Sequence, residues 1–247
     1  MSNLKIGLAS VTFRNKTVEE VVDIAKRAGI SYIEWGADVH VKSIEDAKKA
    51  LKLCTDSDIK ISSYGSYYRV GSNKKDEWRQ ICAIAREMSA SSVRVWLGTK
   101  NSEETDKNEY ENLLNDAKTM CDIAREYNLN ISAECHDNTF NNNTYAFLKF
   151  KEDLQRDNFT TYFQSRYQKK EYDLDRIEKN FDFIENVHVS YRDLFKEQLF
   201  AKKDKRYIDM VIGKLREKGF DGIVMIEFTF FSDEKCLMRD VKKLKKL

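Results

Sequence analysis

Short apolar runs alternate along this chain with longer segments in which apolar residues recur every three or four positions. The short runs have the length and side chains of β-strands, and the longer segments have the spacing of amphipathic helices. The pattern predicts eight strands, at residues 4–10, 31–36, 59–64, 93–97, 130–134, 159–163, 183–189 and 222–228. A helix is predicted after each strand, at residues 17–28, 44–55, 75–88, 103–127, 144–155, 174–180, 206–218 and 233–247.

Local start and stop signals support this division. Thr17 and Glu20 have the spacing of a capping box, Gly29 is placed to end the first helix, and Ser43 is placed to cap the second. Strands that alternate with helices require a parallel sheet, and eight units without a linker favour closure into a barrel. We therefore expect an α/β protein in which residues 1–247 form a single (β/α)8 TIM barrel domain.

Composition and charge exclude several classes of function. The 247 residues include 43 basic and 41 acidic ones, and a net charge of +2 argues against a dedicated nucleic-acid surface. No stretch approaches the roughly 20 apolar residues of a membrane span, so we expect no membrane partner. The five cysteines form no C-x-x-C pair, which predicts neither a disulfide framework nor a zinc site and indicates a reduced, cytoplasmic setting.

Residues able to carry chemistry gather where the predicted strands end. A parallel barrel brings the C-terminal ends of its strands together at one mouth, where catalytic residues lie in this architecture. In strand order these residues are Glu34, Trp35, Asp38 and His40; Tyr64, Tyr67 and Arg69; Arg94 and Trp96; Glu134 and His136; Gln164; His188; and Glu227. All three histidines of the chain are among them.

Two carboxylates are the strongest catalytic candidates in this set. Glu134 and His136 are two residues apart, so their side chains would project from the same face of a strand. Glu227 follows the apolar run 223–226, and a carboxylate buried there requires a counter-charge, hydrogen bonds or a metal. Arg94 lies within a strand and likewise requires an anionic or carbonyl partner.

Each of the other candidates has two possible interpretations. His40 is equally consistent with a cap of the second helix, and His188 with a core histidine. Trp35, Tyr64 and Trp96 either line a site for a small ligand or only pack.

Six segments, at residues 33–41, 63–69, 93–96, 134–139, 186–189 and 226–228, resemble the xylose isomerase-like TIM barrel superfamily, in particular its sugar phosphate isomerase/epimerase-like branch. In metal-dependent members of this superfamily, four metal ligands come from strands five to eight. In strand order they are a Glu, an Asp, a His, and a Glu or Asp. Glu134 and Glu227 match the first and the last, whereas Gln164 stands where the Asp is expected. The expected His falls on Ser190, and His188 lies two residues earlier on the same face. The resemblance thus implies a Mn²⁺ or Mg²⁺ site at Glu134, Gln164, His188 and Glu227.

The resemblance also implies an activity: isomerisation or epimerisation of a sugar or sugar phosphate by proton transfer next to a carbonyl. Glu134 and Glu227 would be the catalytic pair, and the substrate-binding residues would be Trp35, His40, Tyr64, Arg69, Arg94, Trp96 and His136. Two alternatives stay open, a dehydratase of a sugar acid or polyol that uses the same carboxylates, and a sugar-binding barrel that has lost catalysis. The expected partner is a small sugar or polyol, and barrels of this group often form homo-oligomers.

Overall fold

Eight parallel strands pair in chain order and close into a barrel. The structure is a computed structural model that describes residues 4–164, 170–190 and 202–247, with side chains of 202–206 omitted. The strands are β1 (Lys5–Ala9), β2 (Tyr32–Gly36), β3 (Lys60–Val70), β4 (Ser92–Leu97), β5 (Asn130–Glu134), β6 (Phe159–Gln164), β7 (Ile184–Val189) and β8 (Ile223–Ile226). The predicted (β/α)8 TIM barrel is therefore confirmed.

The helices surround this barrel. They are α1 (Val18–Ala28), α2 (Ile44–Thr55), α3 (Lys75–Glu87), α4 (Lys107–Glu126), α5 (Thr144–Leu154), α6 (Lys170–Asn180), α7 (Lys202–Glu217) and α8 (Glu234–Leu244). The predicted capping box of α1 is confirmed, because the Thr17 backbone N–H donates to Glu20 at 2.8 Å and Glu20 N–H donates to the Thr17 hydroxyl at 3.3 Å. Gly29 ends the helix at φ +66°, a conformation that favours glycine.

Four predicted boundaries were wrong by four residues or more, and one of them is the start of α7, which lies at Lys202 instead of residue 206. β3 continues to Val70 because it bulges against β4 and then pairs again, with Arg69 opposite Trp96. α4 begins at Lys107, since the side chain of Asp106 caps it by accepting from the N–H of Glu109 at 2.9 Å. α6 begins at Lys170, four residues before the predicted start.

The main apolar core lies between the strands and the helices, whereas the barrel interior near the mouth is polar. Alternation along the strands sends apolar residues outward to the helices and Glu34, Arg94, Glu134 and His188 inward. Among the described residues, no helix has the length and apolar character needed to cross a membrane.

Gly65 makes room for the polar interior. A Cβ at this position would lie 2.8 Å from the Arg94 Nη2 atom and 3.3 Å from Glu34 Oε1. The lack of a side chain therefore allows the guanidinium to reach across β3 to β2.

Candidate active site

Five ionisable side chains converge inside the barrel at its C-terminal mouth. Glu34 comes from β2, Arg94 from β4, Glu134 from β5 and His188 from β7, and Glu227 directly follows β8. Each residue is at most 7% exposed. Burial of so many charges is tolerated only when they compensate one another or bind an ion.

Arg94 joins the carboxylates of two strands. Its Nε donates to Glu34 Oε1 at 3.1 Å, and its Nη1 donates to Glu134 Oε2. Burial by itself would raise the pKa of Glu34, but the charges of Arg94 and His188 outweigh it and lower that pKa to about 2. The same two cations outweigh burial at Glu134 and lower its pKa as well. Both carboxylates therefore stay ionised at neutral pH.

His188 lies among three carboxylates. Its Nδ1 is 3.3 Å from Glu134 Oε1 and 3.5 Å from Glu227 Oε2, and its Nε2 is 3.4 Å from Glu34 Oε1. Burial lowers the pKa of His188, whereas the surrounding carboxylates raise it by a larger amount, to about 10.

The pKa of Glu227 is shifted in the opposite direction to the pKa of Glu134. Burial and the negative charge of Glu134 raise the pKa of Glu227, although His188 opposes them. The only side-chain amide at this carboxylate among the described residues is that of Gln164, whose Nε2 donates to Glu227 Oε2 at 2.8 Å. The mouth therefore holds one carboxylate that remains anionic and one that takes up a proton more readily, a division typical of acid–base sites.

The backbone after Glu227 is strained. Phe228 has φ +63°, which is rare for a bulky side chain. Two hydrogen bonds hold it there, because Phe228 N–H donates to the Thr12 hydroxyl at 2.9 Å and the Ser190 hydroxyl donates to Phe228 O at 3.2 Å. Strain of this kind is found at functional sites, and here it fixes the position of the adjacent carboxylate.

Glu134, His188 and Glu227 fit a divalent cation. One donor atom from each lies within 4.8 Å of the other two. Donors that bind one small cation at about 2.1 Å lie roughly 3 to 3.5 Å apart, which agrees with the two distances from His188 Nδ1. In the described part of the chain, neither ring nitrogen of His188 has a hydrogen bond of good geometry. The side-chain amide nitrogen of Gln164 faces Glu227. If the amide group rotates, its oxygen becomes a fourth ligand for the cation.

Trp96 connects the cluster to the wall of the mouth. Its Nε1 donates to Glu134 Oε2 at 2.5 Å, and its ring packs against three side chains. Arg69 lies over the ring at 4.2 Å, His136 lies beside it at 5.3 Å, and Tyr67 meets it edge-on at 5.6 Å. The side chains predicted at the ends of β3, β4 and β5 thus form one continuous wall.

Three of the predicted substrate-binding residues, Trp35, Tyr64 and His40, lie outside this wall and outside the carboxylate cluster. Trp35 and Tyr64 follow the inward-facing Glu34 and Ser63 along their strands, so they point toward the helices, and both are buried. The Tyr64 hydroxyl donates to Val41 O at 2.9 Å. The His40 ring nitrogens lie 3.0 Å from the Ser10 hydroxyl and 3.1 Å from Lys16 O, which accounts for both.

A buried relay behind the cluster was not anticipated from the sequence. Asn186 Nδ2 donates to the Tyr162 hydroxyl at 3.0 Å, which donates to Ser63 Oγ at 2.6 Å. Ser63 in turn donates to Glu34 Oε2 at 3.0 Å. Glu34 could have been singled out, because a carboxylate in an apolar strand is as costly there as at Glu227. Tyr162 carries no comparable signal, since tyrosine is common in strands.

The chain is similar to a known protein family and to proteins of known structure. A family model described as "Xylose isomerase-like TIM barrel" matches residues 22–247. A curated 3-dehydroshikimate dehydratase of Bacillus anthracis is 19% identical over 166 residues, which are 63% of this chain and 59% of that protein. The match thus spans about three fifths of that relative's length.

Solved structures are similar over nearly the whole chain. A probable 3-DHS dehydratase of Bacillus anthracis involved in petrobactin synthesis has a TM-score of 0.80 at 16% identity, covering 98% of both chains. A D-allulose 3-epimerase from Methylomonas sp. has a TM-score of 0.78 at 14% identity, covering 100% of this chain and 98% of that one. A 3-keto-D-glucoside 4-epimerase from E. coli has a TM-score of 0.77 at 12% identity, covering 98% and 99%. At these identities the likeness establishes the fold.

Proposed function

Because this chain belongs to the xylose isomerase-like TIM barrel family, we propose that it is an isomerase or epimerase of a sugar-like substrate that moves a proton next to a carbonyl. The observation that carries the proposal is the convergence of Glu134, His188 and Glu227 from three strands onto one point. The structures of similar fold include two that are named as sugar epimerases.

The two carboxylates take different parts in this proposal. Glu134 is held by Arg94 and Trp96 and has a lowered pKa, so it serves as a fixed anion. Glu227 has a raised pKa, so it is the group suited to take a proton from substrate carbon and return it. Proton transfer to the opposite face of that carbon requires a second group on the wall.

His136 is the candidate for that second group. Its Nδ1 lies 2.7 Å from the backbone carbonyl of Asp137, which can only accept, so Nδ1–H donates this hydrogen bond. In the neutral ring, Nε2 is then left with its lone pair to accept a proton. The contact with Trp96 sets the orientation of the imidazole at the mouth.

Glu134, His188, Glu227 and the amide oxygen of Gln164 would hold Mn²⁺ or Mg²⁺. When bound, such a cation supplies Lewis-acid stabilisation of the negative charge that develops on substrate oxygen. Arg94 and Trp96 both donate to Glu134 Oε2, so Oε1, which faces His188, receives no hydrogen bond from either of them. Carboxylate and amide oxygens favour these cations over thiolate-seeking metals.

Dehydration of a sugar acid or polyol is the second candidate. It is favoured by the dehydratases found among both the curated relatives and the similar structures. The same residues suit it, because β-elimination also begins with removal of a proton next to a carbonyl and ends with protonation of a leaving hydroxyl.

The first experiment measures metal retention. Wild type, Glu227→Gln and Glu126→Gln are incubated with Mn²⁺, desalted and analysed for metal. Glu126 is an exposed carboxylate paired with Arg79 on the helical surface, so its substitution is the matched control. We expect near-stoichiometric Mn²⁺ in wild type and in the control, and its loss in Glu227→Gln. Equal metal content in all three proteins would contradict the proposed centre.

The second experiment separates the reactions. The metal-loaded protein is incubated in D2O with a panel of ketoses and aldoses, and separately with 3-dehydroshikimate. Deuterium next to the substrate carbonyl identifies an isomerase or epimerase, whereas loss of water identifies a dehydratase. Sugar binding without either reaction identifies a barrel that has lost catalysis.

A further inference from the structure

A cavity of about 290 Å³ opens between the ends of β3 and β4, beside the wall of the proposed active site. Its lining includes Arg69, Ser72, Thr99, Lys100 and Asn112, together with Glu109, whose carboxylate is paired with Lys100. We propose that this cavity is an oxyanion subsite, in which Arg69 binds a phosphate or carboxylate group of the substrate. The inference rests on the proposed function and narrows its substrate class to phosphorylated or acidic sugar-like molecules.

Arg69 differs from the other cations of the mouth in having no acidic partner within the described residues. Its Nη1 donates to the backbone carbonyl of Gly98 at 2.8 Å, and its guanidinium carbon lies 4.2 Å from the centre of the Trp96 ring. Burial lowers the pKa of Arg69, and no carboxylate of the described residues opposes this shift. A half-buried cation with neutral neighbours gains most from an anion that arrives with a ligand.

The neighbouring cations are already compensated. Arg94 binds Glu34 and Glu134, and Arg14 is paired with Asp38. Lys100, at the rim of the same cavity, is paired with Glu109. The positive charge available to a ligand in this cavity therefore comes from Arg69.

The side chain is also preorganised for an anion. A guanidinium has five N–H donors in one plane, and the bond to Gly98 uses one of them. Contact with the indole face fixes that plane, so less side-chain entropy is lost when an oxyanion binds. The hydroxyls of Ser72 and Thr99 line the same cavity and can donate to the remaining oxygens.

The subsite lies at a suitable distance from the reacting centre. The ring that Arg69 covers donates through its Nε1 to Glu134 Oε2 at 2.5 Å. Arg69 and Glu134 are thus separated by one indole ring, about 6 to 9 Å. In this proposal a substrate of a few carbons passes around the edge of the ring, with its anion at Arg69 and its carbonyl at the carboxylate cluster.

The test measures binding of two probes by calorimetry, inorganic phosphate and D-gluconate, at low ionic strength. Each is titrated into wild type, Arg69→Gln, Arg69→Lys and Arg79→Gln. Arg79 is an exposed arginine on α3, so the last variant controls for the loss of one positive charge. Retention of Mn²⁺ is measured in parallel, and it shows whether each variant keeps the carboxylate cluster intact.

We expect wild type and Arg79→Gln to bind at least one probe, Arg69→Gln to bind it at least tenfold more weakly, and Arg69→Lys to fall between them. Binding of phosphate alone indicates a sugar phosphate, and binding of gluconate alone indicates a sugar acid. If wild type binds neither probe, or if all four proteins bind equally, the subsite is refuted. Mn²⁺ retention is measured separately, so failure of the subsite does not contradict the proposed function. If wild type does not retain Mn²⁺, the proposed function itself is contradicted.

Discussion

Substitution of Arg94 by methionine tests the electrostatic account of the barrel interior. The change keeps much of the side-chain volume but removes the charge that Glu34 and Glu134 share. Removing one partner of a buried ion pair costs about 3 to 5 kcal/mol of unfolding free energy, because the other charge is left uncompensated. The lowering of the Glu34 pKa from 4.5 to about 2 corresponds to about 3 kcal/mol at pH 7, in agreement with that range.

The pH dependence makes this prediction specific. A carboxylate with a lowered pKa stabilises the folded state above its unfolded pKa, and this contribution is lost as the pH falls toward the folded value. For Glu34 the contribution decreases from about 3 kcal/mol at pH 7 to roughly 1 kcal/mol at pH 3. In Arg94→Met the charge of His188 remains but that of Arg94 is gone, so we expect the pKa values of Glu34 and Glu134 to be lowered less, and the variant to gain less stability than wild type as the pH rises. The difference between the two proteins should therefore increase from pH 3 to pH 7.

The assay is urea denaturation followed by circular dichroism, at pH 3, 5 and 7 with EDTA present to remove metal ions. Arg79→Met, in which an exposed ion pair with Glu126 is lost, is the control and should change stability little at any pH. A double-mutant cycle with Glu34→Gln measures the coupling to Arg94 directly. A loss below 1 kcal/mol at pH 7, or one that is the same at all three pH values, would refute the reasoning.

Three further predictions concern the neighbours of the cluster. Gly65→Ala places a Cβ 2.8 Å from the buried guanidinium and should lower the unfolding free energy by about 1 to 3 kcal/mol. The control is Gly213→Ala on α7, where a Cβ meets open space, and this variant should not destabilise the protein. Tyr162→Phe should cost about 1 to 3 kcal/mol in urea denaturation, because it removes the hydrogen bond that Ser63 Oγ accepts and takes away the acceptor of the buried Asn186 amide N–H. Gln164→Asp adds a second carboxylate beside Glu227, so it should destabilise the metal-free protein and tighten Mn²⁺ binding about tenfold in calorimetry. Unchanged Mn²⁺ affinity would exclude this position from the metal centre.

The amino-acid sequence was sufficient to predict the architecture and many of the residues at the mouth. Hydrophobic periodicity is a local property, so it located the eight strands, and the parallel topology then fixed which strand ends meet. Glu227 could be recognised as costly because it ends an apolar run. Its convergence with Glu134 and His188 follows from closure of the barrel, although their roles stay predictions.

The pairing of the buried charges, in contrast, could be established only from the folded chain. Arg94 binds carboxylates from β2 and β5, and that choice depends on the register and stagger of strands that are distant in sequence. Alternation predicts two faces for each strand but does not say which face is inside, so Trp35 and Tyr64 could be assigned to the helical layer only from the structure. That Arg69 has no acidic partner in the described part of the chain is likewise a result of three-dimensional packing, because the ring it covers, Trp96, comes from another strand.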